Sequence, residues 1–120
     1  MRVIIVDDDP IVAKSLSLIL SVEADIEPIA TGTRGDDAIT LFEECLPDVL
    51  LMDIQMPGCD GLSAAEEILS RHPGARIVFL TTFSDDEYIV RALRLGTRGY
   101  LIKQDISTIA PALRSVMAGQ

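Results

Sequence analysis

The sequence predicts an α/β fold in which an open parallel β-sheet carries helices on both of its faces. Short apolar runs alternate with segments of helical period, in the order strand–helix five times. The strong runs are apolar throughout rather than alternating, which is typical of strands covered on both faces. With 120 residues, 48% of them hydrophobic, the chain suits one domain with one core.

Five strands are predicted, and four of them come from uninterrupted apolar runs. A fifth, weaker run near Ile26–Ala30 contains Pro28, which has no N–H to give to a neighbouring strand. We therefore place that strand at an edge of the sheet. The four strong runs are Val3–Val6, Val49–Met52, Ile77–Leu80 and Gly99–Ile102.

Helices are predicted between and after the strands. The first begins at Asp9-Pro10, where Asp9 can cap the helix and Pro10 suits the first helical position. The others run from about Asp36 to Cys45, from Leu62 to Arg71, from about Asp85 to Leu95 with Gly96 as its cap, and from about Ser107 to Ala118. Their spacing predicts the inward residues: Val12, Leu16, Ile19 and Leu20; Ala38, Ile39 and Phe42; Leu62, Ala65, Ile68 and Leu69; Ile89, Ala92 and Leu93; Ile109, Leu113 and Val116.

Composition excludes several classes of function for this chain by itself. The formal net charge of −9 argues against binding to nucleic acid or to an anionic membrane, because both need a basic face. No apolar run approaches the roughly 20 residues of a membrane helix, and no signal peptide opens the chain, which favours the cytoplasm. Cys45 and Cys59 form no CxxC pair, so we interpret them, with His72, as structural.

Charged and hydroxyl residues follow four of the predicted strands. The strands end in Asp7-Asp8, in Asp53, in Thr81-Thr82 and in Lys103. Since the carboxyl ends of parallel strands lie at one edge of a sheet, these side chains are expected to converge there. Each has an ordinary structural explanation alone, such as a helix cap or a solvated strand end. Their joint position favours a functional site.

The chemistry of this set points to phosphoryl transfer. Three carboxylates repel one another, so either some are protonated or a cation lies among them. Mg²⁺ suits oxygen ligands and often bridges them to phosphate. Lys103 could bind a phosphoryl oxygen and Thr81 could donate a hydroxyl, which leaves Asp53 as a possible nucleophile. Neither GxGxxG nor a P-loop is present, so the phosphoryl group is expected from a donor other than a bound nucleotide.

Four sequence blocks carry a family resemblance along the full chain. They are VDDDP at 6–10, MDIQMPGCDG at 52–61, LTTF at 80–83 and GYLIK at 99–103. Together they resemble, in order and spacing, the receiver domain of bacterial two-component response regulators. The resemblance implies a flavodoxin-like (βα)5 fold with strand order 2-1-3-4-5.

The resemblance also implies roles for the acidic residues. Asp53 is similar in position to the phospho-accepting aspartate, and a phosphohistidine on a sensor histidine kinase would be the donor. Asp8 resembles a direct ligand of Mg²⁺ (or Mn²⁺), and Asp7 resembles one that acts mainly through water. Asp53 and the backbone carbonyl of Gln55 would complete the protein's share of the metal ligands.

Further roles are implied around the phosphoryl group. Thr81 matches the switch hydroxyl, Tyr100 the aromatic residue that changes rotamer with it, and Lys103 the lysine paired with the phosphoryl group. Gln55 and Phe83 occupy positions that influence how fast the phosphoryl group is lost in this family. The protein would then be no conventional enzyme, but a switch that promotes its own Mg²⁺-dependent phosphorylation and dephosphorylation.

Residues 81–103 resemble the LuxR-type (NarL/FixJ) branch, whose members carry a C-terminal helix-turn-helix domain. The chain ends at LRSVMAGQ, about where that branch's linker begins. Either the DNA-binding half has been removed or the protein is a stand-alone receiver, and we favour the first. DNA would then be bound only through a domain outside this chain. A homodimer on activation is expected, through the first and fifth helices or through the fourth and fifth.

Two other functions compete with the receiver interpretation. An aspartate-nucleophile phosphatase of the haloacid dehalogenase kind needs a second acid at the position of Gln55, which cannot donate a proton as an acid does. A phosphate-independent interaction module would be expected to have lost part of the pocket, whereas every expected residue is present.

Overall fold

A parallel sheet of five strands organises the chain in this computed structural model. The structure describes residues 1–54, 56, 60–81, 90–91, 94, 96–97, 99–102 and 106–119, with the backbone alone at 99, 100, 102 and 106. The spatial order is β2-β1-β3-β4-β5, and every neighbouring pair is parallel. The strands are β1 (Arg2–Val6), β2 (Glu27–Gly32), β3 (Val49–Asp53), β4 (Ile77–Thr81) and β5 (Gly99–Ile102).

Four helices are described in full. They are α1 (Pro10–Ser21), α2 (Gly35–Cys45), α3 (Gly61–Arg71) and α4 (Ile109–Met117), the last preceded by a 3-10 turn at Ile106–Thr108. The predicted helix from about Asp85 to Leu95, with its inward Ile89, Ala92 and Leu93, falls mainly outside the described residues. Gly96, its predicted cap, has φ +87, the left-handed conformation that glycine adopts readily.

The core forms two layers, one on each face of the sheet. Alternate residues of a strand point to opposite faces, so Leu50 and Met52 pack towards α2 and α3, while Val49 and Leu51 pack towards α1 and α4. Strand β3 is buried along its whole length because both its faces and both its edges are covered. The prediction of helices on both faces is confirmed.

Strand β2 lies at the edge of the sheet, as Pro28 predicted. Its register against β1 shifts between Val3 and Ile4, opposite the stretch that contains the proline. The strand is also longer than the sequence indicated, since it continues to Gly32. Its later residues are less apolar, and pairing with β1 extends the strand through them.

The helix starts show the capping chemistry that their sequences favour. Asp9 Oδ1 accepts a hydrogen bond of 2.9 Å from the Ile11 N–H, and Pro10 occupies the first helical position, as predicted. Asp60 caps α3 by accepting a 2.8 Å bond from the Ser63 N–H. No helix among the described residues is both long enough and apolar enough to cross a membrane.

The prediction that Ile19 faces the core is wrong. Its side chain is exposed, whereas Ala13, Leu16 and Leu20 form the buried stripe of α1. Consecutive helical residues are about 100° apart, so Ile19 falls at the margin of a stripe centred near Leu20.

An ion-pair network joins α4 to the segment after α1. Arg114 donates from Nε to Asp25 Oδ2 at 2.8 Å and from Nη2 to Asp25 Oδ1 at 2.9 Å. The same Nη2 lies 3.1 Å from Glu23 Oε2. The hydrogen bonds from Arg114 lower the pKa of Asp25 from 3.8 to about 2, against a smaller opposing effect of desolvation. This network ties the last helix to residues early in the chain.

The network makes a pH-dependent contribution to stability. Because the pKa of Asp25 is lower in the folded protein, its stabilisation is present above pH 3.8 and is lost as the pH falls towards 2. At pH 5 the melting temperature of the wild type should therefore be higher than that of Asp25→Asn, and the difference should shrink as the pH falls. Thermal melts of both proteins from pH 5 to pH 2 measure it. A difference independent of pH would contradict the assignment, and high salt should reduce it, since the side chains are exposed.

Candidate functional site

Three carboxylates meet at the carboxyl edge of the sheet. Strands β1 and β3 are neighbours, and Val6 pairs with Met52, which places the following residues, Asp7 and Asp53, side by side. One carboxylate oxygen from each of Asp7, Asp8 and Asp53 lies within 4.8 Å of the other two. The predicted convergence of these three acids is confirmed.

Burial strengthens the repulsion between the carboxylates of this cluster. Asp7 is fully buried, Asp53 is 5% exposed and Asp8 is exposed. At an effective dielectric constant near 20, two carboxylates about 5 Å apart repel by roughly 3 kcal/mol. A cation or a proton among them would offset that repulsion. A set of carboxylate oxygens fits a hard, oxygen-seeking divalent cation, so the residues present suit the metal that the family resemblance implies.

The backbone fixes Asp7 from both sides. Its N–H donates to the carbonyl of Gly32 at the end of β2, at 3.1 Å, and its Oδ1 accepts a 2.9 Å bond from the Asp9 N–H. Asp9 in turn caps α1. The acidic turn therefore starts a helix and also contributes two carboxylates to the cluster, so the capping role does not compete with a place in the cluster.

Asp53 is held as the last residue of a central strand. It pairs with Leu80 of β4, and the next residue, Ile54, donates its N–H to the Leu80 carbonyl at 3.2 Å. Beyond it, the Gly61 N–H donates to the Ile54 carbonyl at 2.7 Å. Strand pairing before Asp53 and a tight contact after it leave its backbone little freedom.

The remaining predicted residues are only partly within the described chain. Thr81 ends β4 at the same edge of the sheet as Asp53, and it is half-buried. For Tyr100 the structure gives a backbone position in β5, opposite Phe79. Gln55, Phe83 and Lys103 lie outside the described residues, and their roles stay predictions.

Sequence reasoning missed two glycines that shape the site. Gly32 accepts the Asp7 N–H, and a Cβ there would lie 2.7 Å from the Asp37 Cβ. Gly61, which directly precedes the helix predicted from Leu62, lies against the backbone of Asp53. A glycine directly after the capping Asp60, at a position where most residues are better helix formers, is the signal that could have found it.

Other reactive side chains lie away from the acidic cluster. A cavity of about 380 Å³ is lined by residues that include Phe42, Arg71, His72 and Arg76. The His72 Nε2 is 2.9 Å from Glu43 Oε1, and the Arg71 Nη1 lies 3.7 Å from the same oxygen, so both side chains link the end of α3 to α2. Cys45 is a free, half-buried thiol. The structural interpretation of His72 and Cys45 fits these positions, and Cys59 lies outside the described residues.

Comparison with known proteins gives a consistent family. The model of the response regulator receiver domain matches residues 3–114. The transcriptional regulatory protein DesR of Bacillus subtilis is 41% identical over 121 residues, which cover 100% of this chain and 60% of that protein. The oxygen regulatory protein NreC of Staphylococcus aureus is 38% identical over 122 residues, covering 100% and 56%.

A solved structure shows the same fold. The LuxR-family two-component response regulator from Aurantimonas sp. SI85-9A1 is 28% identical, with a TM-score of 0.94 over 99% of this chain and 86% of that one. The chain spans somewhat more than half the length of the curated relatives it matches. Motifs, topology and relatives agree: this chain belongs to the family of response regulator receiver domains, and its relatives include LuxR-family response regulators.

Proposed function

We propose that the chain is a phosphorylation-activated switch of a two-component system, in which Asp53 accepts a phosphoryl group from a sensor histidine kinase. The observation that carries this proposal is the buried carboxylate of Asp53, within 4.8 Å of those of Asp7 and Asp8 at the edge of the sheet. Membership of the receiver family supports it. Such a site gains its rate from positioning and charge neutralisation.

Asp53 is the best acceptor of the three acids. One oxygen of Asp7 is engaged by the Asp9 N–H, and Asp8 extends from an exposed turn rather than from a strand. Asp53 alone is presented by a strand with neighbours on both sides. A carboxylate oxygen of Asp53 attacks phosphorus, the phosphorus–nitrogen bond to the kinase histidine breaks, and the imidazole keeps the electron pair and takes a proton. The product is an acyl phosphate.

The acids also have a proposed role towards a metal. Asp7, Asp8 and Asp53, with the backbone carbonyl of Gln55, would hold Mg²⁺ or Mn²⁺. When bound, the ion neutralises charge on the phosphoryl oxygens. Asp7 and Asp8 would hold that ion in place, and its charge would offset the repulsion between the carboxylates and an incoming phosphate. By this means the chain would promote its own phosphorylation and dephosphorylation.

The surrounding residues are proposed to bind the phosphoryl group and to respond to its presence. Thr81 lies at the edge where its hydroxyl could donate to a phosphoryl oxygen. By family resemblance, Lys103 would pair with the phosphoryl group and Tyr100 would change rotamer when it is present. Gln55 and Phe83 would influence how fast the phosphoryl group is lost. The same resemblance supports a further helix between β4 and β5, from about Asp85 to Leu95, which completes the (βα)5 repeat.

The whole protein is proposed to regulate transcription in the cytoplasm. Its relatives are longer than this chain, and several carry names of transcriptional regulators. We propose that a C-terminal helix-turn-helix output domain, outside this chain, binds DNA. With a net charge of −9, the receiver itself would contribute regulation rather than DNA affinity.

A homodimer is the proposed assembly of the activated form, and α1 is its proposed surface. Of the six large apolar side chains exposed in the described chain, four lie on α1 or its cap. Ile11, Leu18 and Val22 are 75%, 67% and 82% exposed, and they share one stripe with Ser15. The stripe is symmetric about its midpoint. An antiparallel two-fold pairing therefore sets Ile11 against the partner subunit's Val22 and leaves Leu18 facing the partner subunit's Ser15.

Two hydrogen bonds link the acidic site to this surface. The Asp9 N–H donates to Asp7 Oδ1, and the Ile11 N–H donates to Asp9 Oδ1, each at 2.9 Å. Ile11 begins the apolar stripe. A phosphoryl group on Asp53 would change the charge beside Asp7, and these two hydrogen bonds connect Asp7 to the first turn of α1. This connection supports dimerisation that responds to phosphorylation.

Intact mass spectrometry tests the proposed acceptor. The protein is incubated with Mg²⁺ and acetyl phosphate, and the wild type is expected to gain the mass of one phosphoryl group. Asp53→Asn should gain none, because the amide cannot form an acyl phosphate, and EDTA should prevent the gain in the wild type. Asp36→Asn, which changes an exposed acid outside the cluster of three, is the matched control and should react as the wild type does.

Two results would overturn the proposal. An adduct that persists at the same yield in Asp53→Asn would move the acceptor to another residue. No adduct on the wild type would leave a phosphate-independent interaction module as the better function.

A further inference from the structure

We infer that Gly61 is a positioning residue for the carboxylate of Asp53, because the absence of a side chain at Gly61 sets where the end of β3 lies. The inference rests on the proposed function, in which Asp53 accepts the phosphoryl group. Gly61 is the first residue of α3, and it lies against the peptide that joins Asp53 to Ile54.

The space at Gly61 is occupied by backbone. A Cβ built on this residue would lie 2.2 Å from the carbonyl oxygen of Asp53 and 2.9 Å from the Cα of Ile54. Both distances are shorter than Cβ atoms tolerate. Neither atom belongs to a flexible side chain that could rotate away. Any other residue at position 61 must therefore push apart the end of β3 and the start of α3.

A hydrogen bond holds the same two segments together. The Gly61 N–H donates to the Ile54 carbonyl at 2.7 Å, which uses one of the N–H groups that a helix start leaves without a helical partner. The capping bond from Ser63 N–H to Asp60 and the burial of Leu62 fix the helix start in place. The close approach and the hydrogen bond together fix the distance between the end of β3 and the start of α3.

The strand side of the contact cannot yield easily. Ile54 donates its N–H to the Leu80 carbonyl at 3.2 Å, and β3 is paired with strands on both edges. Because the paired strand and the capped helix start both resist movement, a methyl group at position 61 would distort the Asp53–Ile54 peptide that lies between them. The Asp53 Cα is bonded directly to that carbonyl carbon, so the carboxylate would turn relative to Asp7 and Asp8. A misplacement of about 1 Å can cost roughly 100-fold in rate.

Helix propensity gives an independent reason to expect a purpose for this glycine. Alanine is favoured over glycine by roughly 0.8–1 kcal/mol in a helix interior, and glycine costs more conformational entropy on folding. A glycine that starts a helix without a left-handed φ therefore lowers stability, unless a larger residue would not fit at that position. At position 61 the carbonyl of Asp53 leaves no room for a Cβ.

The test compares Gly61→Ala with Gly74→Ala. Gly74 has nothing within 4 Å of a built Cβ, so its variant controls for the exchange of glycine for alanine. The rate of adduct formation is measured against acetyl phosphate concentration, and Mg²⁺ affinity is measured by isothermal titration calorimetry, both well below the melting temperature. Gly61→Ala should lose about 10- to 100-fold in maximal rate and bind Mg²⁺ more weakly, while Gly74→Ala stays within about twofold of the wild type.

A merely structural role predicts a different pattern. If Gly61→Ala only destabilises the fold, trimethylamine N-oxide should restore both folding and the wild-type rate. Under the positioning role, folding returns and the low rate remains. A folded Gly61→Ala protein that reacts and binds Mg²⁺ like the wild type overturns the inference and leaves the proposed function standing. Failure of the wild type to react would instead count against the proposed function.

A second pair of variants covers the case in which Gly61→Ala does not fold. Asp60→Ala removes the cap that holds the start of α3, whereas Asp60→Asn can still accept the Ser63 N–H. Positioning through this contact predicts a several-fold slower reaction for Asp60→Ala and rescue by Asp60→Asn. Equal rates for the wild type and both variants would overturn the inference.

Discussion

Replacing Asp7 by asparagine is expected to raise the melting temperature of the metal-free protein while it abolishes Mg²⁺-dependent phosphorylation. Asp7 is fully buried, and its carboxylate lies close to those of Asp8 and Asp53. The amide removes one of three like charges but keeps an oxygen that can accept the Asp9 N–H. Relief of only part of this repulsion, about 1–2 kcal/mol, would raise the melting temperature by roughly 4–8 °C.

The same substitution removes a reason for a cation to bind. Thermal melts in EDTA and in Mg²⁺ should show that the metal stabilises the wild type, as ligands of a folded state do, and leaves Asp7→Asn nearly unchanged. Adduct formation from acetyl phosphate should fall at least about 100-fold. Asp36→Asn is again the control, since its side chain is about two-thirds exposed. A lower melting temperature in EDTA, or a wild-type rate of phosphorylation, would contradict the electrostatic account.

Replacing Leu18 by glutamate is expected to convert an activated dimer into a monomer. Leu18 lies near the midpoint of the exposed stripe on α1, where a two-fold contact would bury it deepest. An uncompensated carboxylate there would be buried against the partner subunit's Ser15, and each unpaired buried charge costs several kcal/mol. We expect at least about a 100-fold weaker dimer, since each 1.4 kcal/mol is a factor of ten.

Sedimentation velocity measures the assembly with Mg²⁺ and beryllofluoride, a stable mimic of the phosphoryl group. The wild type should show a dimer in this state, and Leu18→Glu should show a monomer that still accepts phosphate on Asp53. Leu46→Glu makes the same change at an exposed leucine beside α2, on the other face of the sheet, and should remain a dimer. If both variants dimerise equally, α1 is not the surface.

The framework of the site could be predicted because it follows from local rules. Apolar runs without alternation mark buried parallel strands, and parallel strands bring their carboxyl ends to one edge. Val6 and Met52 end two such runs, so the acids that follow them had to meet once β1 and β3 were neighbours. The cap at Asp9 and the edge position of β2 rest on equally local chemistry.

What the sequence did not reveal depends on contacts between distant segments. Ile19 has the period of the inner stripe of α1, but the segments that pack against α1 leave its side chain exposed. Gly61 looks like any turn glycine until the carbonyl of Asp53 is seen beside it. Strand β2 runs on to Gly32 because β1 pairs with it, not because its residues are apolar. Period and propensity are properties of a segment, whereas these features belong to pairs of segments.

The position of α4 has a consequence for how the chain folds as it is synthesised. Helix α4 supplies Ile109, Leu113 and Val116 to the layer that covers one face of the sheet, and Arg114 reaches back to residues near the end of α1. All five strands leave the ribosome before this helix does. Until it docks, part of that face stays open to water and to other nascent chains. The final helix thus closes the domain, and the interval before it arrives is when this protein is most exposed to aggregation.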